Sequence, residues 1–318
     1  MRYNPFNPQQ PAKPQSFVGR EKEIKTFESF LMQTMHGSPM NLSITGDRGM
    51  GKTSILNKFE DIAKINNCLT IKISNYEGNV KDILEFSDFI ILNIQRELIS
   101  KNITSKNIDS LMKWIKSLTP TLTIQGVSIA LEKKQVIQEL LRERLQDIWL
   151  KSKDVYNAIV ILIDEAESLE NIGALTFLRE VFQRVEGNAN YMLVLAGKFN
   201  FPERMSESFS PLNRFFPAQR LRILYSNDIS TYLKNKLNDT GVSINKEVEN
   251  IIAKKSEGHP YVLVAMSYLI FDSLRDDEII INKEIINICM PKIKGRLSQD
   301  FFTPMLHPLS PKAKKVLC

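Results

Sequence analysis

The sequence predicts an α/β fold, a parallel sheet between two helical layers, followed by a small all-α domain. Three observations lead there. The run Ala158-Ile159-Val160-Ile161-Leu162-Ile163 is continuously apolar and rich in β-branched residues, as a strand buried on both faces must be. Strand-like and helix-like stretches alternate from about residue 40 to about residue 224, the pattern of βαβ units. From Ser226 onward the apolar spacing turns helical, through Ile229-Leu233-Leu237, Val248-Ile251-Ile252, Val262-Leu263-Met266-Leu269-Ile270 and Ile281-Ile285-Ile288, with no strand expected among them.

Each element has its own local reason. Residues 1–16 are interrupted by Pro5, Pro8, Pro11 and Pro14 among Asn and Gln, which predicts an extended arm that buries little. Phe17-Val18-Gly19-Arg20-Glu21 then leads into an amphipathic helix with Ile24, Phe27, Phe30 and Leu31 on one side. Met40 to Ile44 reads as a strand, Ile55, Leu56, Phe59 and Ile62 as a helix, Leu69 to Ile73 as a second strand and Val80 to Leu98 as a helix. Around Gln125-Gly126 the apolar residues fall at 122, 124, 127, 129 and 131. Alternation on both sides of a two-residue turn predicts a β-hairpin insertion at about 121–132. A helix marked by Val136, Leu140, Leu141, Leu145 and Ile148 follows, and Tyr191 to Ala196 is a further buried strand. The expected divisions are an arm at 1–16, an α/β domain at 17–224, a helical domain at 225–303 and the start of another domain at 304–318. The last rests on Leu309 to Leu317, where Ser310-Pro311 looks like the capped start of a helix.

The chemistry concentrates in one loop. Gly46-Asp47-Arg48-Gly49-Met50-Gly51-Lys52-Thr53-Ser54 fits the phosphate-binding pattern G-x-x-x-x-G-K-[ST], between a predicted strand and a predicted helix. Glycines let backbone N–H groups turn inward on phosphates, and the helix that follows adds its positive end. Lys52 is expected to reach the β- and γ-phosphates and the Thr53 hydroxyl to ligate Mg²⁺. Asp164 and Glu165 stand directly after the buried strand, at the carboxyl end where open α/β sheets place ligands. There Asp164 would join Thr53 in the Mg²⁺ shell, and Glu165 would orient and deprotonate the attacking water. The expected ligands are ATP and Mg²⁺.

Other features narrow the field. The formal charge is 42 − 36 = +6, which permits an anionic partner without requiring one. Cys68, Cys289 and Cys318 lie far apart, without metal-ligand spacing, as expected of a reducing, cytoplasmic compartment. No apolar stretch approaches the length of a membrane span. Asn235-Lys236-Leu237-Asn238 comes close to the guanine-reading Asn-Lys-x-Asp, but Asn238 replaces the decisive acid and Leu233 and Leu237 account for the segment as an amphipathic helix. His36, His259 and His307 form no metal pattern.

Four segments in this order resemble the AAA+/STAND branch of P-loop ATPases, in particular the archaeal ATPases related to origin-recognition initiators: Phe17-Val18-Gly19-Arg20-Glu21, the Gly46–Thr53 loop, the Asp164-Glu165 strand end and Gly258-His259-Pro260-Tyr261. The resemblance implies a three-layer P-loop domain with a helical lid. It implies Val18, Gly19 and Arg20 on the base side of the nucleotide, His259 and Pro260 touching it from the lid, and Arg214 acting on a γ-phosphate, in preference to Arg204 or Arg220. It also implies a polar residue after strand 191–196, for which Lys198 and Asn200 are both candidates. Initiators carry a lid arginine just after the glycine; here positions 259–263 are His, Pro, Tyr, Val and Leu. That resembles the STAND switches and favours a slow, nucleotide-gated switch over a motor. The alternatives are a DNA-binding initiator or regulator with a largely structural nucleotide, or a module that binds ATP without cleaving it. Double-stranded DNA, through a winged helix beyond the end of the chain, and a second copy of the chain are the partners this implies, with ATP and ADP as ligands and no membrane.

Overall fold

In a computed structural model of the chain, residues 3–13, 16–74, 80–100, 130–185, 187, 189–275 and 278–303 are described. Contacts divide the chain into two compact units: residues 20–48 with 52–221, and residues 1–19 and 49–51 with 222–318.

The first unit is a parallel five-stranded sheet with helices. Its elements are α1 (Glu21–Met35), β1 (Leu42–Thr45), α2 (Lys52–Ile65), β2 (Leu69–Ser74), α3 (Ile83–Ser100), α4 (Ala130–Ser152), β3 (Ile159–Asp164), α5 (Ala174–Val185), β4 (Tyr191–Gly197), α6 (Phe201–Phe209), α7 (Leu212–Phe215) and β5 (Ala218–Arg220). The strand order is β2-β3-β4-β1-β5, and every pairing is parallel. The α/β class expected from the sequence is the observed one. β3 and β4 are buried along their whole lengths, which is why their sequences show no alternation. Pairing of Ser74 with Asp164 and of Thr45 with Gly197 brings the carboxyl ends of β2, β3, β1 and β4 to one edge. One side of the sheet holds a core of Ile71, Phe86, Leu141, Ile161, Phe177 and Leu193, each buried. Phe27 of α1 and Phe59 of α2 stack at 4.1 Å between ring centroids, nearly parallel.

Two expectations change here. β5 was not anticipated; its three residues, Ala218–Arg220, are half-exposed or exposed and carry no apolar pattern. Residues 121–129 of the predicted hairpin lie outside the described residues, and residues 130–132, which were to close its second arm, already belong to α4.

The second unit holds α8 (Ser226–Leu237), β6 (Ser243–Ile244), α9 (Lys246–Ser256), α10 (Pro260–Asp272), β7 (Ile280–Ile281) and α11 (Lys283–Leu297). The all-α reading needs correction, because β6 and β7 form a short parallel ladder. Two residues per strand are too few for alternation to register. The arm at residues 1–16 also needs correction. Its described part has no α-helix or strand, but it does bury a large side chain. Phe6 is 2% exposed within the core of this unit. Its ring meets Tyr232 at 6.1 Å and Phe271 at 6.2 Å, while the Asn4 side-chain amide donates to the Tyr268 carbonyl at 3.0 Å. Prolines forbid a helix but do not stop one aromatic from inserting between helices. The chain beyond Thr303, including the helix expected from Ser310, lies outside the described residues.

Candidate functional site

The phosphate-binding loop joins β1 to α2. The Gly46 N–H donates to the Gly197 carbonyl at the end of β4, at 3.3 Å. The Lys52 ammonium donates to the carbonyls of Gly46 at 2.8 Å and Asp47 at 3.1 Å, so the lysine folds back over its own loop. Burial lowers the Lys52 pKa from its ordinary value, and the carboxylates of Glu167, Asp164, Asp47 and Glu165 act against that lowering. Asp47 and Arg48 are exposed, whereas Met50 and Ser54 are buried. The loop tip, Gly49–Gly51, groups with the helical unit, where the Tyr261 N–H donates to the Gly49 carbonyl at 3.3 Å.

At the end of β3 the Thr53 hydroxyl donates to Asp164 Oδ2 at 2.6 Å, and the Glu165 N–H donates to Asp164 Oδ1 at 3.0 Å. Asp164 is buried, with both carboxylate oxygens engaged. The Thr53–Asp164 pair presents hard oxygen donors, which suit Mg²⁺, a cation usually held by one or two protein oxygens with phosphates and water. Among the described residues no cluster of three or more His, Cys, Asp or Glu forms a metal cage.

Glu165 has φ 55° and ψ 40°, left-handed values that cost a non-glycine residue about 1 kcal/mol. The turn that follows, Ala166–Ile172, is a 3₁₀ helix, and the next α-helix begins at Ala174. The Glu165 side chain is exposed. Partial burial raises its pKa, helped by Asp164 and Glu167 and opposed by Lys198 and Lys52. Lys52, Thr53, Asp164 and Glu165 therefore stand together.

Glu167 was missed in the sequence. Its side chain is 12% exposed and sits 3.6 Å from the Lys198 ammonium. Nothing in the spelling Asp-Glu-Ala-Glu separates it from a solvated acid; only the 3₁₀ turn rotates it inward. Lys198 directly follows β4, and Asn200 stands at the start of α6 without capping it through its side chain. Arg214 is on α7, exposed, and makes no ion pair among the described residues. It is not among the main charges acting on Lys52 or Glu165. Its two rivals are occupied, Arg204 with Glu170 and Arg220 with Glu203, the latter also lying over the Phe199 ring at 4.7 Å. Arg20 is buried just before α1.

In the helical unit, Gly19 and Gly258 converge on Leu224. Gly258 has φ +74°, and a Cβ there would lie 2.4 Å from the Leu224 carbonyl oxygen. At Gly19, with φ +71°, a Cβ would lie 2.7 Å from Asp228 Oδ2 and 2.9 Å from a Leu224 methyl. The Leu224 N–H donates to the Gly258 carbonyl at 2.8 Å. Val18 packs on the core of this unit. His259 and Pro260 open α10, with Pro260 in the first turn, where its missing N–H costs nothing.

A model of the AAA ATPase domain matches residues 16–195, more than half of the chain. The chain belongs to the AAA ATPase domain family. Membership implies nucleotide binding and suggests ATPase activity. Solved structures agree on the fold of this AAA ATPase. An Aeropyrum pernix ORC2 protein, in ADPNP–ADP complexes, aligns with TM-score 0.63 at 12% identity, over 95% of this chain and 74% of its own. A Walker-type ATPase of Pyrococcus abyssi aligns with TM-score 0.56 at 15% identity, over 96% of this chain and 80% of its own. The Aeropyrum pernix ORC1 protein in complex with DNA gives TM-score 0.55 at 15% identity, over 96% and 74%. An uncharacterised HTH-type transcriptional regulator of Methanocaldococcus jannaschii is 39% identical over 59 residues; that stretch is 18% of this chain and spans only 14% of the regulator. Among the described residues no helix is long and apolar enough to cross a membrane.

Proposed function

We propose that this AAA ATPase binds ATP with Mg²⁺ at the Gly46–Thr53 loop, hydrolyses it slowly and acts as a nucleotide-gated switch. The observation that carries the reading is the 2.6 Å hydrogen bond from Thr53 to Asp164, beside Lys52 and Glu165. It joins the helix end that would receive phosphates to the strand end that would supply catalytic carboxylates. Lys52 exchanges its two loop carbonyls for β- and γ-phosphate oxygens. Thr53 and Asp164 would hold Mg²⁺, which when bound neutralises phosphate charge. Glu165 orients a water and takes its proton as the water oxygen attacks the γ-phosphorus; the bond to the bridging oxygen breaks, and ADP and phosphate result. The raised Glu165 pKa fits a group that accepts a proton.

The switch needs a ligand with unequal affinity for two conformations. Arg20, His259 and Pro260 are the proposed source of that difference, and Arg214 is proposed to act on the γ-phosphate of a second copy. A second reading, a DNA-binding regulator, draws on the ORC1–DNA neighbour and the regulator match. Lys133 and Lys134 are both helical, and Lys134 pairs with Glu180 at 3.1 Å.

The test is ATP turnover and binding, with and without duplex DNA, for wild type, Lys52→Ala and Glu165→Gln. Lys52→Ala should lose binding. Glu165→Gln should bind normally and turn over roughly 10²- to 10⁴-fold more slowly. Undiminished turnover by Glu165→Gln removes the general-base assignment, and wild-type affinity in Lys52→Ala removes the cleft assignment. Turnover stimulated by DNA favours the second reading.

A further inference from the structure

The helical unit carries a cavity of about 250 Å³ that the ATP reading leaves unused. The arm forms one wall, with Tyr3, Asn4, Asn7 and Gln9, and the helices form the other, with Tyr268 of α10 and Arg296 of α11; Phe6 and Pro8 complete the lining. Docking of the arm builds this cavity. Phe6 is buried against Tyr232 and Phe271. Asn4 ties the arm to α10, its amide donating to the Tyr268 carbonyl at 3.0 Å while its Oδ1 accepts from the Phe6 N–H at 3.1 Å.

Among the residues that line it, Arg296 alone is charged. Its guanidinium lies over the Tyr268 ring at 5.5 Å, and its Nε donates to Asp300 Oδ2 at 3.1 Å. Those contacts fix the plane of the fork and use its Nε, while the two Nη groups make no hydrogen bond among the described residues. Asn7 Oδ1 accepts from the Gln9 N–H at 3.0 Å, which leaves the Asn7 amide N–H₂ and the Gln9 side chain as exposed donors. An arginine edge held in this way matches the two oxygens of a carboxylate, and amide side chains pair with a peptide unit. Charge limits the ligand further. Asp300 offsets Arg296, and Lys292, on the same helix, stands 3.8 Å from Asp272. These surroundings suit one negative charge better than the nearly two of a phosphate at pH 7. Arg296 also lines a second hollow, with Lys292, Gly295 and Gln299, where Gly295 leaves open space.

We propose that this cavity binds the C-terminal residue of a peptide, its carboxylate on the Arg296 fork and an apolar side chain against Tyr3, Pro8 and Tyr268. Ligand pockets usually enclose about 300–1,000 Å³, so this one takes a single residue and not a segment passing through. A terminal residue carries carboxylate and side chain on one α-carbon. An internal Asp or Glu would bring the carboxylate but leave the tyrosines to a separate residue. The preceding residues of the peptide leave along the hollow at Gly295, with the Asn7 and Gln9 amides meeting the last peptide unit. Because one wall belongs to the arm and the other to the helices, the peptide needs the docked arm and in turn holds it docked. The site is independent of the nucleotide cleft.

The experiment titrates the full ¹⁵N-labelled chain with N-acetyl-glycyl-glycyl-phenylalanine and follows backbone amide and arginine Nε–H shifts by NMR. Parallel titrations use the same peptide amidated at its C-terminus, an amidated peptide with an internal aspartate beside phenylalanine, inorganic phosphate and a short thymidine oligonucleotide. Saturating shifts are expected at Tyr268 and Arg296, with a dissociation constant on the order of 0.1–1 mM. Amidation should weaken binding about tenfold or more. Arg296→Lys, which keeps the charge but loses the fork, should weaken it about tenfold. Asn7→Ala, at an exposed position, should weaken it roughly threefold. Absence of saturable shifts at about 10 mM peptide overturns the proposal, as does equal binding of the amidated peptide or unchanged affinity in Arg296→Lys. Tighter binding of the internal-aspartate peptide, phosphate or the oligonucleotide overturns the assignment to a peptide end. Should Arg296→Lys fail to fold, the comparison of ligands on wild type still decides.

Discussion

Glu165 combines two unfavourable features for the sake of its position. It adopts a left-handed backbone, and its carboxylate lies among Asp164 and Glu167. Replacing it with Asn, which tolerates the left-handed region and carries no charge, should raise stability by about 0.5–1 kcal/mol while abolishing hydrolysis. Urea denaturation alongside an ATP turnover assay checks both halves, and a less stable variant would mean that the carboxylate contributes more to the fold than to catalysis. Gly258 poses the opposite case. With a left-handed backbone and the Leu224 carbonyl 2.4 Å from where a Cβ would stand, Gly258→Ala should destabilise the helical unit by about 1–3 kcal/mol beyond the backbone penalty alone. Gly241→Ala measures that backbone penalty, since Gly241 has φ +70° and open space around it. Equal losses in the two variants would show that the Leu224 contact yields easily.

Among the elements, the arm carries more weight than its composition suggests. Phe6 sits between α8 and α10 through Tyr232 and Phe271, so Phe6→Ala should cost about 3–5 kcal/mol. The loss should appear as faster hydrogen exchange in Ser226–Leu237 and Pro260–Asp272, and unchanged exchange there would make the arm dispensable. Glu249, 3% exposed on α9, ties that helix to α8. Burial alone would raise its pKa, but hydrogen bonds from Ser230 and Lys246 and the charges of Lys234 and Lys246 hold it below the ordinary value. A depressed carboxylate stabilises the fold above its unfolded pKa, near about 4.3, and that contribution is lost as pH falls through the lower folded value. Glu249→Gln should therefore cost about 1–3 kcal/mol at pH 7 and progressively less below about pH 4. Parallel acid-unfolding curves for variant and wild type would refute this.

The same elements explain what could be read in advance. Buried strands such as Ile159–Asp164 reveal themselves because every position is apolar up to the acid that ends them, and Gly46–Thr53 because backbone geometry and ligand chemistry restrict the same residues. The ladder Ser243–Ile244 with Ile280–Ile281 and the strand Ala218–Arg220 left no trace, since two or three residues cannot express a period. Phe6 could not be foreseen from a proline-rich stretch, because its partners lie more than 200 residues away. Glu167 escaped notice because a 3₁₀ turn, not an α-helix, decides which way it faces.

At the scale of the molecule the question is whether nucleotide acts on one unit or on both. Linkage alone does not make a switch: ATP at a hundredfold excess over its dissociation constant stabilises whatever binds it by about 2.7 kcal/mol, with or without a conformational change. Moving a two-state equilibrium from one-sided to oppositely one-sided needs a difference in affinity of about 5.5 kcal/mol between the states. ATP and ADP share the base, ribose and two phosphates, so in a switch the γ-phosphate and the groups that meet it must supply most of that difference. Hydrogen exchange in Mg²⁺–ATP, Mg²⁺–ADP and no nucleotide separates the cases. A switch should slow exchange in Leu42–Thr45 and Lys52–Ile65 with either nucleotide, but in Pro260–Asp272 only with ATP, roughly 100-fold by the same linkage. Slowing in the helical unit that is identical with ADP would make the nucleotide a structural ligand there. Slowing confined to the α/β unit would leave the helical unit to answer to something else, and duplex DNA would be the next addition to the same experiment.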